Sequence, residues 1–229
     1  MTASHLRSVD DDEFDKIDRS RPSLGVLEVV GRHVDGRYPV DQFGADPQVQ
    51  DLCAPILGQF VSVRVQGAEH LAELQAAALV CNRGFGLVEA AVASVGVRDA
   101  VGRRLRVVGA PDIPLVDTVA RKLGVIGATS HEVRSCLRAG HVVAIPSSRT
   151  WFRQASGVAP RSLLFGALGF PVLPCALKPI GPFGIPLQGW EMRIGSVIRL
   201  EAGDHPVGDP LAAAELATKV AAALDALLV

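Results

Sequence analysis

The chain has 229 residues, a formal net charge of −1 and a mean hydropathy of +0.29. That length suits one well-buried domain. The slightly acidic balance and the 5% aromatic content argue against nucleic-acid binding, which needs a basic face and a stacking platform. No stretch approaches ~20 uninterrupted apolar residues and the N-terminus carries no apolar signal core, so a cytoplasmic location is the expectation.

Residues 1–23 are polar, with Asp10, Asp11, Asp12 and Glu13 in a run, and read as a flexible acidic tail. The pair Asp46-Pro47 is a helix start ahead of Val49, Leu52, Ile56 and Leu57. Val61 to Gln66 alternates apolar and polar, which predicts a half-buried strand ended by Gly67. Ala76 to Cys81 is continuously apolar and predicts a strand buried on both faces. A helix follows from about Leu87 to Ser94, then a strand over Arg104–Val108. Pro114 to Leu123 reads as a helix closed by Gly124, and Val125-Ile126 as a short strand. Ser130 is placed to cap a helix through Arg138, with Gly140 as its stop. His141–Ile145 is a strand cut by Pro146, Arg161–Leu168 a helix, Pro171–Leu177 a strand and Glu191–Leu200 an extended segment. The last helix starts near Asp209-Pro210, with Leu211, Leu216, Val220, Leu224 and Leu227 on one side. Strands alternating with short helices predict one α/β domain over residues 24–229. Its sheet is mixed but mostly parallel and flanked by helices.

Charge is uneven along this plan. Residues 98–161 hold eleven Lys and Arg against four acids. Either these are solvated helix faces, or they gather into a cationic surface for phosphate or an anionic membrane. Trp151-Phe152, beside Arg149 and Arg153, suits either a membrane-facing anchor or core packing. The four cysteines are far apart and read as small buried hydrophobes, and no histidine pairs with another at metal-ligand spacing. No metal or cofactor is expected.

Several segments together resemble the glycerol-phosphate and lysophospholipid acyltransferases, with actinobacterial-type features. Val40–Pro47 and Val63–Glu69 resemble the lead-in, and Ala78-Leu-Val-Cys-Asn82-Arg83-Gly84 the entry to the first motif. Lys122–Ala128, Leu137–Pro146, Gly169–Ala176, Gly181–Leu187 and Trp190–Gly195 follow in the family's order. The resemblance spans roughly residues 38–200 and implies the glycerolipid acyltransferase-like fold. It also implies an acyl donor such as acyl-CoA and a lysophospholipid acceptor.

In the family, a buried strand ends in Asn-His, with an Asp after four intervening residues. The His is the base that takes the acceptor's proton and the Asp orients it. Here the His position is Arg83 and the Asp position is Val88. A guanidinium stays protonated near neutrality and an aliphatic side chain offers no oxygen. Where the family carries Phe-Pro-Glu-Gly, the chain reads Ile145-Pro146-Ser147-Ser148. The resemblance therefore implies a degenerate member that binds rather than transfers. Arg83, Ser147, Ser148 and Arg149 would grip an anionic headgroup, or the arginines would only pair with a neighbour such as Glu89. Its partners would be an acyl chain, a lysophospholipid, an active acyltransferase or an anionic membrane at the inner face. The competing expectation is an active transferase or hydrolase with His131, His141 or Glu89 as a rerouted base. A third is a purely structural subunit with a filled pocket.

Overall fold

The structure, a computed structural model, describes residue 31 and residues 40–83, 86–109, 114–147, 160–180, 189–200 and 209–229. The acidic run at 10–13, Ser148, Arg149, Trp151, Phe152 and Arg153 lie outside the described residues.

Seven strands form one sheet in the order β1-β7-β6-β2-β5-β3-β4: β1 Val63–Gln66, β2 Ala77–Cys81, β3 Leu105–Val108, β4 Val125–Ile126, β5 Val142–Pro146, β6 Val172–Pro179 and β7 Trp190–Ile194. Five strands share one direction. β7 runs antiparallel to β6, and β1 lies parallel to β7, so this pair opposes the rest. The sheet is therefore mixed and mostly parallel. The helices bounded within the described residues are α1 Pro47–Phe60, α2 Glu69–Ala72, α3 Leu87–Val101, α4 Pro114–Lys122, α5 Ser130–Arg138, α6 Pro160–Ala167 and α7 Pro210–Leu228.

The apolar runs of β2 and β5 explain the layering. Ala77, Leu79 and Cys81 face the α3 side, while Ala78 and Val80 face α5, α6 and α7. Both strands are buried on both faces, as continuous apolar sequence requires in a parallel sheet. β7 instead alternates buried Trp190, Met192 and Ile194 with half-buried Glu191 and Arg193.

Helix ends follow local chemistry. The Asp46 carboxylate accepts from the backbone N–H groups of Gln48 and Val49 and starts α1. The cap of α5 is Thr129 rather than Ser130, which is the first helical residue. Its other end is a Schellman arrangement: Gly140 at φ +83 donates to Leu137 O, and His141 N donates to Cys136 O. α3 runs on to Val101, beyond the expected end at Ser94. Leu211 stands 74% exposed, away from the buried stripe of Leu216, Val220 and Leu224. Five residues of helix turn it roughly 140° from Leu216.

Candidate functional site at the strand ends

The C-terminal ends of β2 and β5 meet side by side. Cys81 pairs with Pro146, and Ser147 N donates to Cys81 O at 2.8 Å, so the ladder runs one residue past β5. On the other flank, Asn82 replaces backbone with side chain. Its Oδ1 accepts from Leu177 N at 2.8 Å and its Nδ2 donates to Leu177 O at 3.3 Å. The side-chain amide thus extends the β2–β6 ladder while the main chain turns away. This fixes where residue 83 leaves the sheet.

Arg83 is 43% exposed there. Its guanidinium lies 5.6 Å from the Trp190 ring centroid, a cation–π contact brought about by the reversed direction of β7. Glu89 Oε1 stands 3.9 Å from Arg83 Nη1, and Glu89 Oε2 accepts from Gly86 N at 3.1 Å. The helix periodicity that turns Glu89 away from position 88 is what directs it toward Arg83. Val88 is half-buried and packs on the apolar core under α3. The structure therefore brings Arg83, Ser147 and Glu89 to one end of the sheet. Ser148 and Arg149 fall outside the described residues.

The described histidines stand elsewhere. His141 precedes β5 and so sits at the opposite end of the sheet from Ser147, roughly 20 Å away at ~3.3 Å per residue. Its ring meets Phe43 edge-on at 5.6 Å. Burial, with the cations of Arg106 and Arg103 nearby, pulls its pKa from 6.5 down to about 3. A ring so hard to protonate is a poor proton acceptor near neutrality. His70 is bonded through Nδ1 to Ile194 O at 3.1 Å; Ile194 is level with Cys81 through Cys175 but lies two strands across the sheet from it. His131 is exposed in the first turn of α5, a helix that packs over β5 and against α6.

Six arginines of the cationic stretch have structural partners among the described residues. Arg98 and Arg104 share Asp51 at 2.7 and 3.0 Å. Arg103 donates to the carbonyls of Leu74, Gln75 and Gly140. Arg106 is buried in β3, paired with Asp41 and lying over Phe43. Arg121 joins Asp117 and Glu132, and Arg134 donates to Leu168 O. These six arginines hold the structure together at separate places.

Three of the four cysteines fit the reading of small core residues, whereas Cys53 on α1 is only half-buried. Cys81, Cys136 and Cys175 are buried and unbridged. A hydrogen bond with Cys175 across the β2–β6 register, together with burial, raises the Cys81 thiol well above its ordinary pKa. Burial raises that of Cys136 to about 12. Such thiols are unreactive.

No family model matches the chain, and no curated protein sequence matches it. A solved structure is similar in fold. It is the crystal structure of the 1-acyl-sn-glycerophosphate (LPA) acyltransferase, PlsC, from Thermotoga maritima. The match has 16% identity and a TM-score of 0.46, and covers 75% of this chain and 78% of that one. A likeness of this degree does not bear on activity. No helix among the described residues is long and apolar enough to cross a membrane.

Proposed function

We propose that the chain is a catalytically degenerate acyltransferase-like protein that binds an anionic headgroup, with or without its acyl chain, at the ends of β2 and β5. The observation that carries this reading is the setting of Arg83. A permanently cationic side chain stands where the family resemblance calls for a base, held between Trp190 and Glu89. The half-buried Val88 stands where it calls for the orienting carboxylate. A guanidinium at strand ends of an α/β sheet suits phosphate or carboxylate capture and not proton abstraction. Ser147 leaves the neighbouring strand end, and in this reading Ser148 and Arg149 add donors to the same anion.

The ligand class this implies is a lysophospholipid, an acyl chain or an acyl-CoA. Peripheral contact with an anionic membrane at the cytoplasmic face and docking on an active acyltransferase belong to the same proposal. The direct test supplies purified protein with acyl-CoA or acyl-carrier donors and lysophospholipid acceptors. The expected result is no transfer above the protein-free blank. Mass spectrometry of lipids co-purifying with wild type and with Arg83→Ala then identifies what the site holds.

A second reading has one observation in its favour. Glu89 is the carboxylate nearest Arg83 among those whose pairing is described, so an active enzyme in this chain would use it as the base. Turnover in the same assay that disappears in Glu89→Gln would establish that reading and end the first.

A further inference from the structure

The place an incoming anion needs beside Arg83 is already held by a carboxylate of the same chain. Glu89 directs one oxygen to Gly86 N and the other toward the guanidinium. At 3.9 Å the second contact is an ion pair without a hydrogen bond. Arg83 is 43% exposed and Glu89 22%, so the attraction is screened and readily exchanged for a better acceptor. The guanidinium carbon lies 5.6 Å from the Trp190 ring centroid, and a cation–π contact at that distance leaves N–H donors to turn toward another anion. A phosphomonoester carries up to two charges and three strong acceptor oxygens and takes that fork bidentately. A phosphodiester has one charge, the same as the carboxylate it must displace.

We infer that Glu89 is a resident competitor for Arg83 and sets both the affinity and the charge preference of the site. It admits phosphomonoester dianions and disfavours singly charged ligands. The inference rests on the anion-binding reading of Arg83 given above.

Calorimetry at low ionic strength tests it, on wild type, Glu89→Gln, Glu89→Ala and Arg83→Ala, each first shown to unfold cooperatively. The probes are inorganic phosphate, glycerol phosphate, lysophosphatidate below its micelle concentration, and glycerophosphocholine as the diester. Glu89→Gln keeps an acceptor for Gly86 N but loses the charge, and Glu89→Ala loses both. The expected result is monoester binding about three- to fivefold tighter in at least one folded Glu89 variant, weaker discrimination against the diester, and no binding in Arg83→Ala. A gain seen with lysophosphatidate alone assigns the anion to a lipid headgroup; one shared with inorganic phosphate assigns it to the phosphate itself. Equal affinity in wild type and both Glu89 variants, lost in Arg83→Ala, overturns the competitor role and leaves the anion site standing. Binding in none of them, or binding indifferent to Arg83, overturns the anion reading and this inference with it.

Discussion

His141 should make the fold sensitive to mild acid. Its pKa is held at about 3 in the folded chain against 6.5 in the ordinary state, so between those values the unfolded chain binds a proton that the folded chain refuses. Stability then falls as pH drops below 6.5 and continues to fall until the folded ring also titrates. Between pH 7 and pH 5 the loss from this one residue is about 2 kcal/mol, and any folded value below about 4 gives the same figure. Burial of the ring is the main cause, and the charges facing it act in the same direction. Arg106 on β3 and Arg103 just before it are both cationic, while Phe43 supplies only an aromatic edge. The assay is urea unfolding of wild type and His141→Gln at pH 7 and pH 5, where most carboxylates remain ionised. The variant should lose about 2 kcal/mol less over that interval than wild type. Equal losses within about 0.5 kcal/mol would refute a half-buried neutral ring at position 141, and would return it to the list of groups able to exchange protons near neutrality.

Three other perturbations address the architecture. Asn82→Ala removes both bonds to Leu177 and leaves that backbone pair without its side-chain partner, so denaturant unfolding should show a loss of roughly 1–3 kcal/mol. Gly166→Ala drives a methyl to within 2.4 Å of Ser130 O, where α6 meets the start of α5. It should destabilise by about 1–3 kcal/mol, and a melting temperature equal to wild type would contradict that close approach. Asp41→Ala removes the carboxylate facing buried Arg106 and should cost about 3 kcal/mol, whereas the double change Asp41→Leu, Arg106→Met should recover most of it. If the double variant is no better than the single one, the pair is not the source of the loss.

What the sequence made legible was local. Asp46-Pro47 starts a helix because a carboxylate and a donor-free ring suit a first turn, and Gly124 and Gly140 end helices because their φ is positive. The apolar runs over β2 and β5 read as doubly buried strands because nothing polar interrupts them. The order of strands and helices followed, including the mostly parallel sheet. The misread end of α3 has a packing cause. Gly96, just past the expected end at Ser94, lies inside the helix, where a β-carbon would come within 2.7 Å of Met192 Sδ; the glycine lets α3 settle onto β7 and β1.

At the site, the substituted positions Arg83, Val88 and Ser147 could be found by resemblance alone. Their partners could not. Trp190 reaches Arg83 from more than a hundred residues away, and only because β7 reverses direction beside β6. Asn82 looked like part of a catalytic signature, and its amide proves to bridge the β2–β6 ladder. The arginine-rich stretch suggested a surface, but a charge count carries no information about which carboxylate or carbonyl each long side chain meets. Arg106 in particular alternates correctly for a strand face that lies inside the protein, where pairing with Asp41 from a distant loop makes it tolerable.

The reversed pair of strands also has a temporal consequence. Val63 pairs with Trp190, 127 positions later in the chain. At the usual ribosomal pace of about 5–20 residues per second, that leaves β1 waiting roughly 6–25 s for its neighbour. Meanwhile Val63 and Val65 emerge with no strand to join, an interval in which nascent protein is open to capture by chaperones.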